Sequence, residues 1–487
     1  MLRDEIRAAA KRYGEATVMA APDGTLTYAG LDTRSDRIAA ALSRNGVQPG
    51  DRIALRLPSG TSYLLAYAAT AKLGAVVAGI NTGLADVEQE RLVALAEPAL
   101  VLDSADAVHE LEDRGGPVTL PHVVPDPERL AALVFTSGTS GLPRAAMFTD
   151  DRLAAVMHVE TGGSWADRPG TPSLVSTHLA HVGPMLKLPW YLRRGLRMQV
   201  LPRWRAAEYL CLVAELRLPE IGAIPPQLAL MLAAPEFGEL DLSCVRRIIA
   251  GGAASSPTLV EAARRAFDAE YLVRYSSTES GGVGLGTSAE RPDEALHGIG
   301  RPRPGIEASI LDPDGRPLPN GEVGELCLST PTAMVGYWRD EQATAAAFHG
   351  RWMRTGDLAA RNADGTYELK GRLKEMYIRG GYNVYPAEVE AELARHPGVA
   401  ACAVVARPDP TMGEIGVAVV VANPLGATLT LADVRGFLEG RVARWKLPED
   451  LLVVAELPLN STHKPDRRAL AELVARRCRK RRTHGVA

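Results

Sequence analysis

Phe135-Thr136-Ser137-Gly138-Thr139-Ser140-Gly141-Leu142-Pro143-Arg144 decides how the rest of the chain is read. The apolar run before it, Ala131-Ala132-Leu133-Val134-Phe135, has the length of a buried strand. Residues 136–141 are then all Thr, Ser or Gly, with no bulky side chain. Such a loop offers closely spaced backbone N–H groups and hydroxyls around a small concavity, which suits a polyphosphate. Arg144 adds a cation whose fork matches phosphate oxygens. The loop is not a Walker loop, because Gly141 leads into Leu-Pro-Arg instead of Lys-Ser/Thr. It is not a nucleophile elbow either, since neither Ser137 nor Ser140 has glycines at the required offsets. Taken alone, it reads equally well as an ordinary Ser/Gly surface loop.

The loop resembles the phosphate-binding signature of the adenylate-forming enzymes, a group of acyl-CoA synthetases, luciferases and peptide-synthetase adenylation domains. That signature runs Thr-Ser-Gly-Thr-Thr/Ser-Gly-x-Pro-Lys-Gly, and here Arg144 replaces Lys and Ala145 replaces Gly. The resemblance implies an α/β fold, with a large N-terminal domain of layered β-sheets flanked by helices and a small, mobile α+β C-terminal domain. The expected division is 1–371 for the large domain binding ATP and acyl substrate, 372–376 for a hinge, and 377–487 for the small domain.

At 487 residues the chain exceeds one ordinary core, which independently predicts at least two domains. A hydrophobic content of 46%, a charged content of 23% and a net charge of -3 describe a globular protein with no overall pull toward nucleic acid. Cys211, Cys244, Cys327, Cys402 and Cys478 have neither metal-site nor disulfide-framework spacing, which fits a reducing, cytoplasmic setting. The N-terminus lacks an apolar signal core. No apolar run reaches the ~18 residues of a membrane span.

Residues 1–130 alternate strand and helix patterns, including strands over 52–57 and 75–81 around an apolar helix over 63–73. This rhythm predicts a parallel sheet covered on both faces. Further on, Ile221–Ile224 reads as a strand, Pro225-Pro226 as a turn and Leu228–Leu232 as a helix. Gly284-Leu285-Gly286-Thr287-Ser288-Ala289 matches a dinucleotide-binding pattern, but Arg291-Pro292-Asp293 argues against the helix that pattern needs. Arg476–Arg482 is a basic run, read first as a solvated helix end or disordered tail and alternatively as a peripheral contact with anionic membrane.

Four further stretches extend the resemblance in order. Thr177–Pro184 corresponds to a segment whose His lies beside the acyl group, a position His181 fits; a lone His is otherwise an ordinary loop or core residue. Val182 stands where amino-acid-activating relatives tend to carry Asp, so it argues against an amino-acid substrate. Ala250-Gly251-Gly252-Ala253 ends a strand with small residues, which lets a flat ring lie against the backbone or merely allows close packing; the resemblance puts adenine and the acyl chain there. Tyr275-Ser276-Ser277-Thr278-Glu279 matches Tyr-Gly-x-Thr-Glu except at Ser276. The match implies nucleotide contacts along it, a phosphate donor in Thr278 and a Mg²⁺ ligand in Glu279. Thr355-Gly356-Asp357 matches a motif whose Asp accepts both ribose hydroxyls, although an Asp in a β-turn is the plain alternative.

The run from Gly371 to Pro386 is a long match. It implies that Arg372 contacts ribose and phosphate, that Lys374 sits at the hinge, and that Gly380 and Gly381 admit the CoA pantetheine. Near the end, Pro458–Arg467 resembles the segment carrying the catalytic lysine, with His463 in place of Gly and Lys464 as that lysine.

Together these parts imply a ligase that joins a carboxylic acid to ATP as acyl-AMP and then to CoA. Lys464, Thr278, Glu279 and His181 form its catalytic group, and ATP, Mg²⁺ and CoA its small molecules. The acceptor is CoA or an acyl carrier protein. An aryl-acid CoA ligase, a luciferase-like oxygenase and a non-enzymatic nucleotide-binding protein are the rivals. Val182 and the small residues at 250–254 point to an uncharged tail, with a fatty acid preferred. No arginine in these motifs is placed for a second carboxylate.

Overall fold

The computed structural model describes residues 2–114, 120, 123–136, 143–423, 429–460 and 464–483. Ser137, Gly138, Thr139, Ser140 and Gly141 of the opening loop lie outside the described residues, as does His463. Among the described residues the strands form five sheets.

The first sheet runs in the order Gly336–Tyr337, Arg144–Thr149, Leu130–Thr136, Val76–Gly79, Arg52–Leu55, Leu100–Leu102. Its last four strands are parallel, as the βαβ rhythm predicts, and the first two are added antiparallel. Helix Thr61–Lys72 is apolar around nearly its whole circumference and is buried at every residue but Ala71. The one charge at its end, Lys72, is fully buried and is neutralised by Asp32 at 2.5 Å and Asp36 at 2.6 Å.

The second sheet is built on parallel strands Glu220–Ala223, Arg247–Gly251 and Glu270–Tyr275, followed by antiparallel Leu285–Gly286 and Arg301–Pro302. Pro225 and Pro226 are the first turn of helix Pro225–Ala233 and not a separate turn. Proline is suited to that position because the first helical N–H groups have no partner to lose. Gly284-Leu285-Gly286 enters a two-residue strand, and the only helix that follows it nearby is the four-residue Glu294–His297. The dinucleotide reading therefore fails on its structural requirement.

The third sheet is antiparallel and ends in strands Trp352–Arg361 and Tyr367–Arg372. A fourth joins Thr17–Ala21 to Arg197–Val200 and their neighbours. The fifth holds Tyr377–Arg379, Tyr382–Val384, Val399–Asp409, Gly413–Ala422 and Asp450–Val454. Alternation along its strands sends Val404 and Val420 to one core and Ala403 and Val419 to the other. Helices Pro386–Leu393 and Leu431–Leu438 cover the first face, and Arg467–Thr483 covers the second. The basic run at 476–482 continues that last helix.

Candidate active site

Thr355-Gly356-Asp357 lies within strand Trp352–Arg361, not in a β-turn. The strand is irregular here, with register shifts against both of its neighbours and Gly356 at φ +71°. A bulge of this kind re-aims the next side chain. Glu325 fixes it by accepting the Gly356 N–H at 3.0 Å. Asp357 is thereby turned inward and is only 7% exposed. Its Oδ2 accepts from the Tyr275 hydroxyl at 2.6 Å, and its Oδ1 lies 3.0 Å from Arg372 Nε. Burial, and then the Asp357 charge, hold the Tyr275 phenol well above its usual pKa, so it stays a donor. Asp357 raises the pKa of Arg372.

Lys464 reaches the same place from the C-terminal part of the chain. Its backbone is held in a reciprocal clamp. The Lys464 N–H donates to Asn460 Oδ1 at 3.0 Å, and the Asn460 N–H donates to the Lys464 carbonyl at 2.8 Å. A β-carbon placed on Gly252 would meet Lys464 Cε at 3.3 Å and Nζ at 3.6 Å. Burial first, and the Arg372 charge second, lower the pKa of Lys464, with Asp357 acting in the opposite direction. Such an ammonium gains from an anionic partner.

His181 completes this group, and the Lys464 charge adds to burial in lowering its pKa. Its tautomer follows from Asn81, two residues beyond buried strand Val76–Gly79. Asn81 Oδ1 accepts the Gly83 N–H at 2.8 Å, so its amide nitrogen is the atom facing His181 Nε2 at 3.2 Å. Nε2 accepts, and the proton resides on Nδ1. His178 takes the opposite form. Its Nδ1 accepts the Ala180 N–H at 3.1 Å, and its Nε2 faces Thr82 Oγ1 at 3.3 Å. Burial, then His181, lower the His178 pKa to about 4.

Glu279 stands on the other side of the Tyr275–Glu279 passage. Reciprocal bonds between Ser277 and Ser280 shape the turn. The Tyr337 hydroxyl donates to Glu279 Oε1 at 3.0 Å. Arg144 lies 5.3 Å above the Tyr337 ring and 3.4 Å from Asp340. Its planar head suits that stacked place, which gives a physical account of Arg where the family pattern has Lys. Among the described residues no cluster of three His, Cys, Asp or Glu could hold a metal by itself. One carboxylate with an oxygen left over fits Mg²⁺, which takes few protein ligands and completes its shell with phosphate and water.

Lys464, Asp357, Arg372, Tyr275, Gly252 and His181 are thus gathered from separate stretches. Ser276, Gly252 and Ala253 are exposed, Thr136, Gly251, Ser277, Thr278 and Val182 are half-buried, and Ala250 is fully buried in the sheet core. Lys374 is exposed. Gly380 and Gly381, at φ +55° and +88°, form the two-residue turn between strands Tyr377–Arg379 and Tyr382–Val384. Sequence reasoning missed Asn81 and Tyr337. An Asn closing a buried parallel strand at its carboxyl end is the signal that could have found the first.

The chain matches the family model described as AMP-binding enzyme over residues 6–338, and the AMP-binding enzyme C-terminal domain over 388–464. It is 32% identical over 483 residues to a fatty acid–[acyl-carrier-protein] ligase of Streptomyces coeruleorubidus, covering 92% of this chain and 91% of that one. It is 31% identical over 481 residues to a feruloyl-CoA synthase of an Amycolatopsis species, covering 93% and 95%. Among solved structures it resembles ATP-bound MatB of Rhodopseudomonas palustris with a TM-score of 0.85 and 26% identity, covering 97% and 98%.

Proposed function

The chain belongs to the AMP-binding enzyme family, and from that premise we propose that it is an acid–thiol ligase working through an acyl-adenylate. A carboxylate oxygen attacks the α-phosphorus of ATP, and the bond to the β-phosphate oxygen breaks to release pyrophosphate. The thiol of CoA then attacks the acyl carbon. A C–S bond forms, the C–O bond to AMP breaks with its electron pair leaving on the phosphate oxygen, and the thiol proton passes to solvent. The observation that carries this reading is Lys464 seated against Gly252 beside the Asp357–Arg372 pair.

Phosphoryl transfer asks for positioned cations and donors more than for covalent chemistry. Lys464 supplies a desolvated ammonium where charge develops on the phosphoryl oxygens. Loss of one such group costs about 3–4 kcal/mol of barrier. Asp357 offers its oxygens to the ribose hydroxyls, with Arg372 beside it. Thr278 and the loop at 136–141 donate to phosphate oxygens. Glu279 would hold Mg²⁺, whose charge would offset that of the phosphates. His181, neutral with its proton on Nδ1, presents a donor to the acyl carboxylate. An aliphatic tail lies against Val182 and Gly251.

We divide the chain into a large domain, 1–371, and a small one, 377–487, hinged at 372–376 through Lys374. Because Lys464 fills the site during adenylation, the small domain turns to bring the Gly380–Gly381 turn in for the thiol. A carrier protein as acceptor is the second reading, favoured by the carrier-protein ligase among the relatives.

ATP–pyrophosphate exchange tests the first half-reaction, run on a panel of fatty, aryl and dicarboxylic acids with wild type and Lys464→Ala. Exchange that the variant loses supports the reading. Exchange that survives in Lys464→Ala removes the lysine from the chemistry. Thioester assays with CoA and with carrier protein then separate the acceptors.

A further inference from the structure

Strand Glu270–Tyr275 carries a charge that the chemistry above leaves unused. Arg274 is half-buried, and its Nη1 donates to the backbone carbonyls of Val273 at 3.0 Å and Thr287 at 2.8 Å. Among the described residues it forms no ion pair with a carboxylate. Burial, and then the neighbouring Arg303, disfavour its charged form. Glu160 and Glu220 favour its charge by less than burial and Arg303 oppose it, and Glu160 already pairs with Lys187 at 2.8 Å and with both arms of Arg303 at 2.9 and 3.1 Å. Against the opposing effect of burial, Lys187 and Arg303 hold the Glu160 carboxyl down to about 2. Lys187 and Arg303 therefore already share the Glu160 carboxylate beside Arg274, in a partly desolvated place. A buried charge of this sort is costly unless an anion joins it.

The position of Arg274 is fixed relative to the acyl region. Its neighbours in register are Gly251 on one strand and Gly286 on the other. A β-carbon at Gly286 would come within 2.8 Å of Arg274 Nη1, so the guanidinium lies over that glycine. A β-carbon at Gly282 would meet Val182 Cγ2 at 3.4 Å. One short segment thus touches Val182, next to His181, and the Arg274 guanidinium. Four residues of chain span no more than about 14 Å.

We propose that Arg274 is a specificity residue that pairs with a second carboxylate at the far end of the acyl substrate, making the activated acid a dicarboxylate. The proposal rests on the reading that the acyl group lies against His181 and Val182. It replaces the expectation that no arginine serves a second carboxylate. That expectation came from motifs, whereas the place of Arg274 beside Gly251 and Gly286 comes from sheet register. A site built to pair a charge discriminates strongly against the analogue that lacks it, because its own polar group is then left unmatched.

The test is ATP–pyrophosphate exchange by the full chain with straight-chain monocarboxylic acids and α,ω-dicarboxylic acids of matched length. Wild type, Arg274→Met and Arg274→Lys are compared, with thermal unfolding run on each. Wild type should favour the best dicarboxylate by about tenfold or more in kcat/KM. Arg274→Met should lose that preference mainly through KM, and Arg274→Lys should regain part of it. Exchange with monocarboxylates alone, or an unchanged ratio in a folded Arg274→Met, overturns the proposal while leaving adenylation intact. No exchange with any acid of either series sinks the adenylation reading and the proposal with it. If Arg274→Met fails to fold, the wild-type ratio and Arg274→Lys decide.

Discussion

The side chain of Lys464 packs against Gly252, where a β-carbon would stand only 3.3 Å from its Cε. Gly252 also has φ +78°, a conformation that disfavours any L side chain. Gly252→Ala should therefore act twice. Backbone strain should lower stability by about 1–2 kcal/mol, and the methyl should push the lysine off its seat. Exchange should fall at least tenfold, beyond what the stability loss explains. Unfolding curves measured beside exchange rates check both effects, and a fully active Gly252→Ala would show that Lys464 works from elsewhere.

Tyr337 is expected to aim Glu279. Its hydroxyl occupies one carboxylate oxygen, and burial raises its pKa so that it remains a donor. A hydrogen bond to a charged group contributes about 1.5–3 kcal/mol. Tyr337→Phe should raise the Mg²⁺ concentration for half-maximal exchange by roughly tenfold or more at that magnitude. The rate at saturating Mg²⁺ should change little. Direct Mn²⁺ binding in the presence of ATP gives a readout independent of turnover, and identical curves for the two proteins would remove Tyr337 from this role.

Asn81→Asp reverses the hydrogen-bond logic at His181. A carboxylate accepts where the amide donates, so it should draw the proton to Nε2 and raise the His181 pKa. The acidic limb of the exchange profile should move to higher pH. An unshifted limb, with activity retained, would mean that His181 does not set that limb.

His178 predicts an acid weakness of the fold. Its pKa is about 4 in the folded chain against 6.5 when unfolded. Between those values the unfolded chain binds the extra proton, so stability is fully present above 6.5 and is lost as pH falls toward 4. The loss amounts to roughly 3 kcal/mol at about 1.36 kcal/mol per unit. His178→Gln should flatten the dependence of the urea midpoint on pH across this window. Parallel slopes for wild type and variant would count against it.

The first sheet was legible because its strands are apolar runs bounded by turns and its helix Thr61–Lys72 is apolar all round. The misreading of Pro225-Pro226 came from treating proline as punctuation, although it also opens helices. Asp357 and Lys464 were legible only through motifs, since nothing local distinguishes them from a turn Asp and a solvated Lys. Asn81 and Tyr337 were invisible for a different reason. Each acts on a residue far away in sequence, His181 at a separation of 100 and Glu279 at 58. Arg274 is placed by the glycines opposite it, and register is a property of the folded sheet.

The clamp between Asn460 and Lys464 has a bearing on how often the enzyme can turn over. Both of its hydrogen bonds join Asn460 and Lys464 to each other, so neither depends on a group from another element. The disorder lost in tying those residues together is lost once, when the chain folds. In the domain turn proposed above, Lys464 would be withdrawn and presented again with its two bonds to Asn460 intact. The cost of each such cycle would then include rehydrating one ammonium but not remaking those two bonds.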